Sequence, residues 1–95
     1  MITAFVLINT EADVLPEAAQ AIADIDGVYE VYSCAGAVDL IAIVKVAEHE
    51  QLAALVPGRI SKVHGVLDTD THIAFRSYSN SDAESSFEIG LESGV

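Results

Sequence analysis

Positive charge is what this chain has least of. Lys and Arg together number 4, against 15 Asp and Glu in 95 residues, for a formal net charge of -11. Affinity for phosphate backbones comes from clustered Lys and Arg. Lys45, Arg59, Lys62 and Arg76 form no cluster, so direct nucleic-acid binding is not expected. A single cysteine, Cys34, excludes an internal disulfide and gives no sign of an oxidising compartment. With no second cysteine, and with His49, His64 and His72 far apart in the chain, a metal site lacks its ligand spacing. The longest apolar runs, residues 4–8 and 40–44, fall well short of the roughly 20 residues that cross a bilayer. The first nine residues have neither the positive n-region nor the cleavage site of a signal peptide. A soluble cytoplasmic protein is expected, with no membrane role. Neither GxGxxG nor GxxxxGK occurs, so no nucleotide cofactor, and no other cofactor, is expected.

What the chain does have is apolar residues, 52% of the total, too many for a wholly disordered chain and enough for one small domain. Residues 2–10 are short, apolar and rich in β-branched side chains, and read as a strand, β1. Pro16 opens a helix, α1, whose Leu15, Ala18, Ala19, Ile22 and Ile25 share one face, and Gly27 stands where a left-handed cap would end it. Residues 28–35 and 39–46 read as a hairpin, β2 and β3. Residues 48–63 are helical (α2), with Pro57-Gly58 predicting a kink or two helical pieces. Gly65-Val66 repeats the Gly27-Val28 signal, and residues 66–78 read as β4. The order is βαββαβ. Right-handed crossovers make it an α+β, ferredoxin-like fold, a four-stranded antiparallel sheet with both helices on one face.

Two helices cover one face of such a sheet, and the other should be polar in a monomer. Here Phe5 and Leu7 of β1 oppose Ile2, Ala4, Val6 and Ile8, while Ile41 and Ile43 of β3 oppose Leu40, Ala42, Val44 and Val46. Both strands are apolar on both sides, which predicts face-to-face dimerisation. Residues 1–79 form the domain, and residues 80–95 read as an acidic, mobile tail with Asp82, Glu84, Glu88 and Glu92 unmatched by any base.

Two places carry candidate chemistry. In the β2–β3 loop, Gly36 lets backbone turn or approach a ligand, and Asp39 can accept hydrogen bonds from a ligand ammonium or from loop amides. The competing reading is a hairpin turn whose Asp caps its own backbone, and local chemistry favours it. Along β4, Asp68, Asp70 and His72 share one side, and Thr69 and Thr71 lie on the other, otherwise apolar, side, where their hydroxyls need partners.

The paired signals Gly27-Val28 and Gly65-Val66, the Gly36-x-x-Asp39 loop and Thr69-x-Thr71 together resemble the effector-binding (RAM) domain of Lrp/AsnC regulators over residues 2–79, in its stand-alone form without a helix-turn-helix domain. The resemblance implies a dimeric α+β barrel whose dimers associate into rings of eight or ten subunits. It also implies an amino acid or related small effector held between dimers. Carried over by position, Gly36 and Asp39 match the effector loop, Thr69 and Thr71 the last-strand pair beside it, and Asp68 a weaker neighbour. The expected role is amino-acid sensing and oligomerisation, acting on transcription or metabolism through a DNA-binding paralogue, with no catalytic residue. Alternatives are a cofactor-free, monooxygenase-like enzyme on the same barrel, using Asp68, Asp70, His72 and Arg76, or an ACT-like regulatory domain. Replacing Asp39 by Ala is expected to weaken effector binding and spare the fold.

Overall fold

The computed structural model describes residues 1–80. Its strands are β1 (Ile2–Thr10), β2 (Val28–Ser33), β3 (Leu40–Val46) and β4 (Val66–Ile73), and its helices are α1 (Leu15–Ala23) and α2 (His49–Gly58). The sheet runs β2-β3-β1-β4, with every neighbouring pair antiparallel. This is the ferredoxin-like α+β arrangement, with β1 and β3 in the centre.

Alternation decides which side of the sheet is core. Ala4, Val6 and Ile8 of β1 and Leu40, Ala42 and Val44 of β3 are fully buried beneath the helices, together with Ile22 and Ile60. Each large side chain buried in this way contributes about 1.5–3 kcal/mol. Helix α1 starts at a proline in its first turn and buries Ala18 and Ile22. Helix α2 starts at a reciprocal capping box, in which Gln51 Oε1 accepts from the Glu48 amide at 2.9 Å and the Glu48 side chain accepts from the Gln51 amide. Pro57 lies inside α2, which stops at Gly58, and a separate 3-10 turn follows at Ile60–Lys62, the two pieces that Pro57-Gly58 predicts.

Three elements end earlier than their sequence patterns suggest. Helix α1 stops at Ala23, β2 at Ser33 and β4 at Ile73. For β4 the reason is the length of its neighbour. Ile73 pairs with Ala4, and the Ala74 amide reaches Thr3 O at 2.9 Å, where β1 has almost run out. Residues 75–78 have no ladder left to join. The acidic-tail expectation for residues 80–95 lies, from residue 81 on, outside the described residues.

Both helix-to-strand glycines have positive φ, +98° at Gly27 and +94° at Gly65, as left-handed caps require. At Gly65 a methyl group would also overlap Val14 Cγ2. Gly65→Ala should therefore lower unfolding stability in urea by more than the ~1 kcal/mol expected of backbone strain alone. Adding Val14→Ala, itself destabilising, should recover the excess in a double-mutant cycle. Strict additivity of the two substitutions would show that the overlap does not matter.

Candidate functional site

The β2–β3 loop is tied down from its base. Asp39 donates its amide to Ile8 O at 3.0 Å and accepts from the Cys34 amide at 2.9 Å through its carbonyl. Strand β3 begins one residue later, so the Thr10 amide has no strand partner on that side. The Asp39 carboxylate takes the place of one, with Oδ2 accepting from Thr10 N at 2.9 Å. Oδ1 has no protein hydrogen bond among the described residues. The capping reading of Asp39 is thus correct for one oxygen, and the amide it caps belongs to β1 rather than to its own turn.

Sequence reasoning passed over Thr10. It is 6% exposed, on the helix side of the sheet, and its Oγ1 is buried with no hydrogen-bond partner. An unmatched buried hydroxyl carries a desolvation penalty of about 1–3 kcal/mol. The available signal was a threonine closing an apolar face that runs Ala4, Val6, Ile8.

The other predicted residues fall in separate places. Gly36 is exposed at the loop apex with φ +132° and nothing within 4 Å of its missing Cβ, so the loop presents open backbone. Thr69 pairs with Ile8 and Thr71 with Val6, which puts both half-buried on the helix side. Thr71, with Ile73, lines a cavity of about 340 Å³ against Leu52, Val56 and Pro57 of α2. Asp68 is on the opposite face, where it pairs across the strand with Asn9 and accepts from Asn9 Nδ2 at 3.2 Å. Strand β1 separates Asp39 from β4, and two inter-strand spacings amount to about 10 Å. Within one chain, then, the loop pair and the threonine pair do not enclose a single small ligand.

The face turned away from the helices has an apolar strip along its middle. Phe5 pairs with Ile43 and Leu7 with Ile41, and Phe5 remains 38% exposed. Polar groups flank the strip. On the β4 side His72 Nε2 and Asp70 Oδ2 are 3.1 Å apart, with side chains 60% and 74% exposed. On the β2 side the Lys45 ammonium lies 4.1 Å from the Tyr29 ring centroid. There too Glu30, chiefly as a hydrogen-bond acceptor and then, after a smaller desolvation effect, as a neighbouring charge, raises the Tyr32 phenol above its ordinary 10.0. Asp68, Asp70 and His72 lie along this open face, and Arg76 lies past the end of β4 beside Thr3 and Phe5. They do not converge on an enclosed catalytic pocket within the chain. Among the described residues no group of three or more His, Cys, Asp or Glu could hold a metal ion. No helix there is long and apolar enough to cross a membrane.

A helix-backed antiparallel sheet with an apolar outer face and an exposed glycine at its β2–β3 loop defines an α+β domain of the ferredoxin-like kind. Residues 3–84 match the family model of the Lrp/AsnC ligand binding domain, and the chain belongs to the Lrp/AsnC family. Similar proteins include an uncharacterised HTH-type transcriptional regulator of Pyrococcus furiosus, 38% identical over 77% of this chain and 51% of that protein. The chain therefore spans about half the length of the curated relatives it matches. A solved structure from Thermus thermophilus is 41% identical, covering 84% of this chain and 100% of that one, with a TM-score of 0.79. A Neisseria meningitidis transcriptional regulator solved as a complex with L-Met has a TM-score of 0.75 at 15% identity, covering 83% of this chain and 53% of that one, a likeness that shows the fold alone.

The bond to Thr10 changes what Asp39 substitutions should do. Asp39→Ala strands the Thr10 amide and should cost about 1–3 kcal/mol of stability, so it does not spare the fold as the sequence suggested. Asp39→Asn keeps an acceptor oxygen, and its urea midpoint should stay close to that of the parent. Equal loss in both variants would mean that charge, rather than the hydrogen bond, is what β1 requires.

Proposed function

We propose that the chain is a non-enzymatic, cytoplasmic ligand-sensing and oligomerisation module. It binds an amino acid or related metabolite and acts on transcription or metabolism through a DNA-binding paralogue. The observation that carries this reading is the apolar strip of Phe5, Leu7, Ile41 and Ile43 on the uncovered face. A second copy packed face to face covers it, giving the dimeric α+β barrel. The separation of the candidate residues favours the same conclusion. Gly36 and Asp39 at the loop, and Thr69, Thr71 and Asp68 on β4, act on one effector when different subunits supply them, as in a ring of eight or ten. Asp39 Oδ1 is the acceptor suited to an effector ammonium, and the open backbone at Gly36 is suited to a close approach. An amino-acid effector agrees with the L-Met complex of the Neisseria regulator, a distant relative with this fold. With a net charge of -11, contact with DNA falls to a more basic partner.

A thermal-shift screen of amino acids at millimolar concentration tests the sensing half. A ligand at one hundred times its dissociation constant stabilises the folded state by about 2.7 kcal/mol, and Asp39→Asn should weaken that response. No shift with any amino acid, in a verified oligomer, would leave an assembly role only. For the assembly half, light scattering should show a species larger than a dimer. Ile43→Asp should reduce it to smaller species without melting the helix-side core, and an undiminished assembly in that variant would rule out the sheet face.

A further inference from the structure

At the end of the sheet remote from the β2–β3 loop, a cavity of about 520 Å³ lies between the α1–β2 connection, the end of β3 and helix α2. Two of the chain's four basic residues, Lys45 and Arg59, line it together. Arg59 has no ion pair or hydrogen bond from its side chain among the described residues, and Lys45 meets only the Tyr29 ring. Asp26 lines the same cavity and pairs with neither cation. In a chain with 4 Lys and Arg against 15 Asp and Glu, two basic side chains beside one cavity are a local concentration of positive charge.

The rest of the lining is suited to an apolar body. Val46 and Leu55 form a wall, and a Cβ on Gly27 would come within 3.3 Å of Leu55 Cδ2 and 3.5 Å of Val46 Cγ1, so glycine keeps that wall open. Gln51 also lines the cavity, and its Oε1 is held at 2.9 Å by both the Ala47 and Glu48 amides, which leaves its NH₂ as a fixed third donor. The lining side chains thus bring two cations and one carboxylate, and Met1 lines the same cavity. We infer that this cavity is a binding site for a small organic carboxylate with an apolar body, its carboxylate on Arg59 and Lys45 and its hydrocarbon on Val46 and Leu55. The volume falls within the range usual for small-molecule sites. The site shares no residue with the β2–β3 loop and stands whether or not the loop binds an effector.

Titration of the full chain with 3-methylbutanoate, followed by amide NMR, tests this. Saturable shifts should centre on residues 26–27, 45–47 and 54–55. The neutral 3-methylbutanamide and the dianion succinate should each bind at least tenfold more weakly. Arg59→Gln, at an exposed position, should weaken 3-methylbutanoate binding at least tenfold, Arg59→Lys should restore most of it, and Asp39→Asn should leave it unchanged. Equal binding of acid and amide, unchanged affinity in Arg59→Gln, or no saturable shift at 20 mM would each overturn the inference.

Discussion

A four-stranded sheet has two faces, and this chain has helices for one. Everything else about the molecule is arranged around that shortage. The covered face takes the fully buried side chains of β1 and β3 with Ile22 and Ile60, and it holds the monomer together. The uncovered face keeps four large apolar residues in a strip two strands wide, flanked by Glu30 and Tyr32 on one side and by Asp70 and His72 on the other. An apolar centre with a polar rim is how association surfaces are usually built. Full burial of such side chains contributes about 1.5–3 kcal/mol each, but Leu7, Ile41 and Ile43 are already half covered by their neighbours. The gain across two copies is on the order of 10 kcal/mol, comparable with the ~4–15 kcal/mol that association costs in lost freedom. In a face-to-face pair the strip would supply attraction without a large surplus, and orientation would fall to the polar rim.

The loop depends on the same sheet. Strand β3 starts one residue too late to pair with Thr10, and the Asp39 side chain fills the gap at 2.9 Å. One carboxylate thereby joins the hairpin to the central strand while keeping Oδ1 unbonded. Gly36 lies three residues away on an apex with no packing of its own. A rigid base and an open tip suit a loop that meets something outside its own chain. The register shift between Asn9 and Thr10 occurs at the same level of the sheet, on the side facing β4.

Much of this was legible in the residues. Period-two alternation in β1 and β3, helical spacing in α1, and the glycines ahead of Val28 and Val66 were enough for the βαββαβ order and for the two-sided apolar strands. The errors arose where a boundary depends on a neighbour. The β4 pattern was extended to residue 78, yet its ladder with β1 stops at Ile73 opposite Ala4, near the start of β1. The site was less legible for a related reason. Asp39 as a cap could be read locally, but its partner, Thr10, is 29 residues away, and the buried Thr10 hydroxyl follows from how the sheet closes over it. The division of Asp68 from Thr69 and Thr71 between two faces, by contrast, was read directly from alternation.

The excess of acid has a further consequence. A surface at -11 keeps copies apart at long range and suppresses indiscriminate association, so close contact is left to patches where charge is low or reversed. Among the described residues, the apolar strip and the Lys45–Arg59 cavity are two such patches. The apolar strip is a low-charge patch flat enough for another copy, and the Lys45–Arg59 cavity is a reversed patch too narrow for one. The strip lies on the face away from the helices, and the cavity opens where the α1–β2 connection and α2 meet the end of β3, beyond the opposite end of the sheet from the loop. Lys45 belongs to both regions, since it stands on the open face over Tyr29 and also lines the cavity. An anion drawing Lys45 away from that ring would change the charge at the rim of the association face. Occupancy of the cavity and packing of the sheets are coupled to the extent that this one ammonium serves both.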